Sequence, residues 1–182
     1  EDAELEAALA AHGHAVIEIR RDEATGTWSV VEDSSYNRRI TALATECRIS
    51  GSAAGDARLR TIGDPTGTKV VGTLNNCAGG RTPWGTWLSC EEYVAEGVRG
   101  GDVQPKFLPG IQREHGFVFE VPPAGVRNPA PLAALGQFRH EAAAVHVATG
   151  DVYMTEDRLP FAGFYRTVPK EPGRLSRGGR LQ

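Results

Sequence analysis

The most reactive combination in the chain is a cysteine followed at once by two glutamates, Cys90, Glu91 and Glu92. Thiolates bind soft or borderline metals and carboxylates bind hard cations, so the three residues together have the composition of a metal site. Residues 86–88 predict a strand whose alternation places Cys90 and Glu92 on one face and Glu91 on the other. The competing interpretation is a buried cysteine, used as a small apolar residue, beside two solvated charges.

Two more carboxylates, Glu141 and Glu156, flank a predicted hairpin. Residues 144–147 and 152–154 have the pattern of strands joined by a turn on Ala-Thr-Gly. Glu141 precedes the first strand and Glu156 ends the second, and an antiparallel hairpin brings those two positions to the same end. This places two carboxylates side by side, as a shared metal would require, and a pair of solvated charges explains them equally well.

Two residues are candidates for binding an anionic substrate oxygen. Arg158 lies two residues after Glu156, and its guanidinium could contact an anionic oxygen bidentately. An ion pair with Asp157 or Glu156 explains it equally well. Asn76 could donate to the same oxygen, or it could cap the turn that contains Gly79.

Other catalytic arrangements are disfavoured. The five histidines have no spacing typical of a zinc site. No phosphate-binding glycine loop, serine elbow or dinucleotide fingerprint is present. With a formal charge of −3 the chain has no large basic field, so nucleic acid is not an expected partner. No apolar run is long enough to cross a bilayer, and a membrane partner is not expected either.

The elements that must position these residues are mostly strands. Residues 3–11 contain strong helix formers and end before Gly13, which predicts one short helix near the N-terminus. Residues 16–19 and 27–31 predict a first hairpin. Further strands are predicted at 116–121 and 163–168, and long loops rich in glycine and proline at 97–110 and 122–131. Three cysteines are too few for a disulfide framework: a Cys47–Cys77 bridge, no bridge, or Cys90 as a metal thiolate all remain open.

Several segments together carry a family resemblance. The run Thr-Leu-Asn-Asn-Cys-Ala-Gly-Gly-Arg-Thr-Pro-Trp-Gly-Thr-Trp-Leu-Ser-Cys-Glu-Glu at 73–92 resembles the signature of the PhoX-type alkaline phosphatases, bacterial metal-dependent phosphomonoesterases built on a six-bladed β-propeller. Shorter matches keep the same order along the chain: Tyr-Asn-Arg-Arg-Ile-Thr at 36–41, Asp-Pro-Thr-Gly-Thr at 64–68, Phe-Arg-His-Glu-Ala at 138–142 and Thr-Glu-Asp-Arg at 155–158.

The resemblance implies hydrolysis of small phosphate monoesters by a cluster of iron (Fe³⁺) and calcium ions, in a periplasmic or secreted protein that is monomeric at full length. By carry-over, Cys90, Glu141 and Glu156 are expected on the iron side of the cluster as catalytic residues, with Glu91 or Glu92 on calcium. Six blades need roughly twice 182 residues at ~40–50 residues per blade. We therefore expect an all-β fragment, an internal part of one propeller domain with long loops, a short N-terminal helix and unpaired sheet edges.

Two alternative functions remain open at this point. One is a propeller of the same family that binds calcium or a partner without catalysis. The other is a propeller hydrolase acting on lactones or other esters. Iron bound through a cysteine would distinguish the predicted phosphatase from both alternatives, because a calcium-only site does not need a thiolate.

Overall fold

The computed structural model describes residues 2–61, 63–92, 115–124 and 128–182. The predicted loop at 97–110 lies outside these residues. One α-helix, α1 (Asp2–Ala11), precedes fourteen strands in the described part of the chain. These are β1 (Gly13–Val16), β2 (Ile19–Arg21), β3 (Trp28–Val30), β4 (Arg38–Thr41), β5 (Glu46–Arg48), β6 (Lys69–Val71), β7 (Asn76–Arg81), β8 (Trp87–Glu91), β9 (Val118–Val121), β10 (Ala130–Pro131), β11 (His140–Val145), β12 (Val152–Glu156), β13 (Phe164–Pro169) and β14 (Gly179–Leu181).

The all-β prediction with one short N-terminal helix is confirmed. Alanine, leucine and glutamate favour the helix, which ends where Gly13 adopts a φ of 112°. Arg39 donates to the carbonyls of Ala10 and Ala11 at 3.1 Å each, so the last turn of the helix has partners for two of its free acceptors. No helix among the described residues is long and apolar enough to span a membrane.

Two four-stranded antiparallel sheets form the larger part of the structure. The first, sheet A, has the order β10-β9-β8-β7, and the second, sheet B, has the order β11-β12-β13-β14. Three two-stranded sheets pair β1 with β4, β2 with β3, and β5 with β6. No sheet closes on itself among these strands.

The predicted hairpins are found with altered limits. The hairpin around the second Ala-Thr-Gly turn is formed by β11 and β12. The first hairpin is shorter than expected, because residue Val16 belongs to β1, which pairs with β4, and only Ile19–Arg21 pairs with β3. The predicted loop at 122–131 includes a short strand, β10, at its end.

Sheet A is covered on both faces by apolar contacts. On one face Leu88, Cys90 and Val118 pack with Met154 and Val152 of sheet B. On the other face Phe117 and Phe119 pack with Cys47, Ile49 and Val70, which come from or adjoin the β5–β6 pair. The neighbouring β9 residues Val118 and Phe119 therefore face different cores. The result is a stack of three sheets.

Strands β7 and β11 come first in sequence in sheets A and B. Their backbones approach each other closely. A Cβ at Gly80 would lie 2.0 Å from the Ala143 carbonyl oxygen. Only glycine permits this approach. It fixes the distance between sheets A and B at the end where the carboxylates lie.

Candidate metal centre

Strands β7 and β11 each contain one bulge. A potential metal ligand lies in each bulge. In β7, Asn76 pairs with Glu91 and Gly79 with Ser89, so three steps on β7 oppose two on β8. In β11, His140 pairs with Glu156 and Ala142 with Thr155. The additional residues are Cys77 or Ala78 in β7, and Glu141 in β11. A bulge turns a side chain away from the regular alternation and is frequent beside functional sites.

The bulges bring three anionic side chains together. Ligand atoms of Cys77, Glu92 and Glu141 all lie within 4.8 Å of one another. The Cys77 thiol donates to Glu141 Oε1 at 3.3 Å. Glu92 follows directly after β8, and its backbone N–H donates to the Asn75 carbonyl at 3.0 Å. We call these three residues the acidic cluster. One thiolate and two carboxylates at this separation can surround a metal ion.

Burial and neighbouring carboxyl groups raise the pKa values of two members of the acidic cluster. Loss of solvent at the thiol, followed by the Glu141 and Glu92 carboxylates, raises the pKa of Cys77 to about 11. Burial and a hydrogen bond to Asp157 raise the pKa of Glu92. Without a cation the cluster therefore favours its protonated forms. A bound cation would reverse this preference and hold all the groups ionised.

Asp157 is a fourth acidic residue at this site. It comes directly after β12, and its backbone N–H donates to the Arg139 carbonyl at 3.0 Å, two residues before Glu141. Its carboxyl group contacts that of Glu92. Two carboxyl groups that approach so closely must share a proton or a cation.

Glu91 is surrounded by hydrogen-bond donors. It is fully buried. Its Oε1 accepts from Thr73 Oγ1 at 2.9 Å, Leu74 N at 2.7 Å and His115 Nδ1 at 2.8 Å. Its Oε2 accepts from Gly116 N at 2.7 Å and Phe117 N at 3.0 Å. These five donors occupy both oxygens, so the structure favours a structural carboxylate here over the expected calcium ligand.

Cys90 does not join the acidic cluster. Its side chain is fully buried and belongs to the apolar core between sheets A and B. Burial, with smaller effects of Cys77 and Glu141, raises its pKa to about 12. Cys90 pairs with Val118 of the same core, whereas Glu92 lies in the acidic cluster. The geometry thus favours Cys77 over Cys90 as the thiolate ligand.

Glu156 lies at the hairpin end where it was expected, opposite His140, but it has other partners. Its Oε2 accepts from Gly163 N at 3.1 Å and from the Tyr165 hydroxyl at 2.9 Å. Glu141 lies inside β11, in the bulge, and not before the strand as expected. Arg158 is exposed and close enough to Tyr165 to influence its pKa.

Asn76 is engaged within the protein. Its amide nitrogen donates to Thr73 Oγ1 at 2.7 Å and to Ser89 Oγ at 3.1 Å, which uses both amide hydrogens. These two bonds support a structural role in sheet A, and the contact with phosphate stays a prediction. The three cysteines are all free thiols, and no Cys47–Cys77 bridge is formed.

Sequence reasoning missed Cys77 and Asp157. Cys77 has no acidic neighbour in sequence, and its approach to Glu92 and Glu141 depends on two bulges and on the packing of β7 against β11. A sequence signal existed in Gly79 and Gly80, since consecutive glycines inside a strand indicate a bulge or a close backbone approach.

Comparison with known proteins places this geometry in a family. The family model described as "Alkaline phosphatase PhoX" matches residues 1–182. A solved structure described as Pseudomonas fluorescens PhoX in complex with vanadate, a transition state analogue, is 32% identical and superposes with a TM-score of 0.79. The match covers 97% of this chain and 37% of that one. No curated protein gives a significant match.

Proposed function

Because the chain belongs to the PhoX alkaline phosphatase family, we propose that it contributes to a metal centre that hydrolyses phosphate monoesters. The observation that carries this proposal is the acidic cluster, in which Cys77, Glu92 and Glu141 converge from three different strands or strand ends. The vanadate complex of the similar structure supports it, since vanadate is described there as a transition state analogue.

The residues present fit a mixed iron and calcium site. Cys77 supplies a soft ligand, which suits iron, and Glu92, Glu141 and Asp157 supply the hard oxygen ligands that calcium and ferric iron accept. Glu156 lies at the rim of the same hairpin end and is proposed as an additional ligand. A calcium-only binding protein would not need a thiolate, so iron bound through Cys77 would separate the phosphatase proposal from the inactive alternative.

The chemistry of such a centre is largely charge neutralisation. Metal ions held there would stabilise negative charge on phosphate oxygens and lower the pKa of water towards neutrality. The protein positions the ligands on two packed sheets, which keeps reorganisation during the reaction small. Arg158, exposed next to Asp157, is proposed to pair with a substrate oxygen.

The chain spans about a third of the length of the PhoX structure that it matches. We propose that it is an internal part of one propeller domain and that further ligands come from other segments of the whole protein. The periplasmic or secreted location and a monomeric state are part of the same proposal.

The test is elemental analysis together with turnover of p-nitrophenyl phosphate by the intact protein, purified without chelators. Glu141→Gln and Glu92→Gln should each lower both the metal content and the rate, because an amide is a weaker, uncharged ligand. Combined, they should show a strongly non-additive loss, as expected for ligands of one centre. A wild-type protein that contains no iron, or that does not hydrolyse the ester, would refute the proposal.

A further inference from the structure

Two short segments on either side of the acidic cluster are joined by reciprocal hydrogen bonds. One segment, residues 73–76, leads into Cys77, and the other, residues 91–92, ends in Glu92. Thr73 and Leu74 donate to the Glu91 carboxylate. In return, Glu92 N donates to the Asn75 carbonyl, and Asn75 Nδ2 donates to the Glu92 carbonyl at 3.1 Å.

Asn75 is held in an unusual backbone conformation. Its φ is 48°, the one positive value for a residue other than glycine in the described structure. Asparagine tolerates this region better than most residues. The backbone N–H of Asn75 donates to His12 Nδ1 at 3.2 Å, which ties the segment to the residue after α1. The strain is therefore localised two residues before Cys77.

Glu91 connects a third segment to the other two. Through Oε2 it binds the backbone of Gly116 and Phe117, and through Oε1 it binds His115. A buried carboxylate with five donors is expensive to displace, because loss of any donor or of the charge leaves other groups unsatisfied. Glu91, which directly precedes Glu92, thus fixes the position of Leu74, and Leu74 lies three residues before Cys77.

We propose that Glu91 and Asn75 are positioning residues that hold Cys77 and Glu92 at the separation needed by a metal ion, a role that rests on the proposed metal centre. Neither residue needs to touch the metal. Glu91 fixes the entry to β7, and Asn75 fixes the backbone of Glu92. Groups of this kind that support metal ligands typically change metal affinity 10–100-fold when replaced.

The first experiment measures alkylation of each cysteine by iodoacetamide in the metal-free intact protein, resolved by mass spectrometry. Glu91→Gln places an amide nitrogen or an altered oxygen against the Gly116 and Phe117 donors. Asn75→Gly keeps the positive φ accessible and removes only the side-chain bond to Glu92. Both variants should accelerate alkylation of Cys77 about tenfold, because the thiol leaves its hydrogen bond to Glu141.

Controls separate positioning from general loosening. Glu120→Gln alters another carboxylate of sheet A, which accepts from Trp84 Nε1 and Thr86 Oγ1 at 2.7 Å each, and it should leave the Cys77 rate unchanged. Cys47 and Cys90, both buried, report on the cores within the same sample. If they accelerate together with Cys77 in both variants, the residues are merely structural and the proposal fails.

The second experiment measures iron affinity of the same three variants. Glu91→Gln and Asn75→Gly should weaken binding about 10–100-fold, and Glu120→Gln should not. Unchanged affinity and an unchanged Cys77 rate in both variants would overturn the positioning role. If the Glu91→Gln protein does not fold, the Cys77 alkylation rate and the iron affinity of the Asn75→Gly protein decide whether the proposal holds. A wild type that binds no iron refutes the proposed function, and the alkylation rates still decide whether Glu91 and Asn75 position Cys77.

Discussion

At the scale of residues, the acidic cluster is costly in the absence of a cation. Cys77, Glu92 and Glu141 approach within 4.8 Å, and Asp157 contacts Glu92. The raised pKa values of Cys77 and Glu92 mean that these groups oppose folding in their ionised forms. Clustered groups with perturbed pKa values are typical of functional sites.

One prediction follows for Asp157. The raised pKa of Glu92, the partner of Asp157, means that the Glu92 carboxyl group binds protons more tightly in the folded protein than in the unfolded chain. Its stabilising contribution is therefore present at low pH and is lost as pH rises through the folded-state pKa. Asp157→Asn replaces the carboxyl group that contacts Glu92 with an uncharged amide. It should stabilise the metal-free protein at pH 7 by about 0.5–1 kcal/mol, since Asp157 is exposed.

Urea unfolding of the metal-free protein at pH 7 and at pH 4 checks this. The gain should be smaller at pH 4, because the raised pKa of Glu92 leaves less of its negative charge there. Asp33→Asn, a substitution at another exposed aspartate, provides the control and should have little effect at either pH. Destabilisation by Asp157→Asn at pH 7 would show that Asp157 does not repel Glu92.

At the scale of elements, the sequence predicted the strands better than their irregularities. The hairpin of β11 and β12 and the strand before Glu92 follow from alternation and turn residues. The bulges at Cys77 and Glu141 do not follow from alternation, because one additional residue in a strand turns a side chain to another face. Gly79 and Gly80 indicate an irregularity in β7, but no such signal accompanies Glu141. Adjacency to Glu91 and Glu92 in the sequence therefore favoured Cys90, which faces the apolar core, over Cys77. Asp157 was missed because its proximity to Glu92 depends on how sheets A and B pack.

Gly80 offers a test of that packing. Gly80→Ala would place a methyl group 2.0 Å from the Ala143 carbonyl oxygen, which forces β7 and β11 apart. We expect a loss of about 2–3 kcal/mol in the free energy of unfolding. Metal content should fall as well, because Cys77 lies on β7 and Glu141 on β11.

Gly85→Ala is the matched control. Gly85 has no atom within 4 Å of an added Cβ, and its φ is +89°. Only the backbone cost of about 1–2 kcal/mol is expected there, with metal content unchanged. Equal metal content in the Gly80→Ala and wild-type proteins would contradict the proposed contact between the two strands as the determinant of the site.

At the scale of the whole molecule, sheet A is the central layer and depends on both of its neighbours. Phe119 is fully buried between sheet A and the β5–β6 pair. Phe119→Ala should cost about 3–5 kcal/mol, because it removes a large side chain from a packed interface. Urea unfolding should show a lower midpoint with an unchanged slope.

Val147→Ala serves as the comparison, since Val147 is 80% exposed and should change stability by less than about 0.5 kcal/mol. If Phe119→Ala were equally harmless, sheet A and the β5–β6 pair would not form one cooperative core. The layered packing of the chain would then need revision.

The most direct test of the metal centre compares two cysteines in the intact protein. Cys77→Ala and Cys90→Ala are purified identically, and each is measured for iron content and for the visible thiolate-to-iron charge-transfer band. We predict that Cys77→Ala loses the band and most of the iron, whereas Cys90→Ala retains both. A protein that keeps its band without Cys77 and loses it without Cys90 would contradict the assignment.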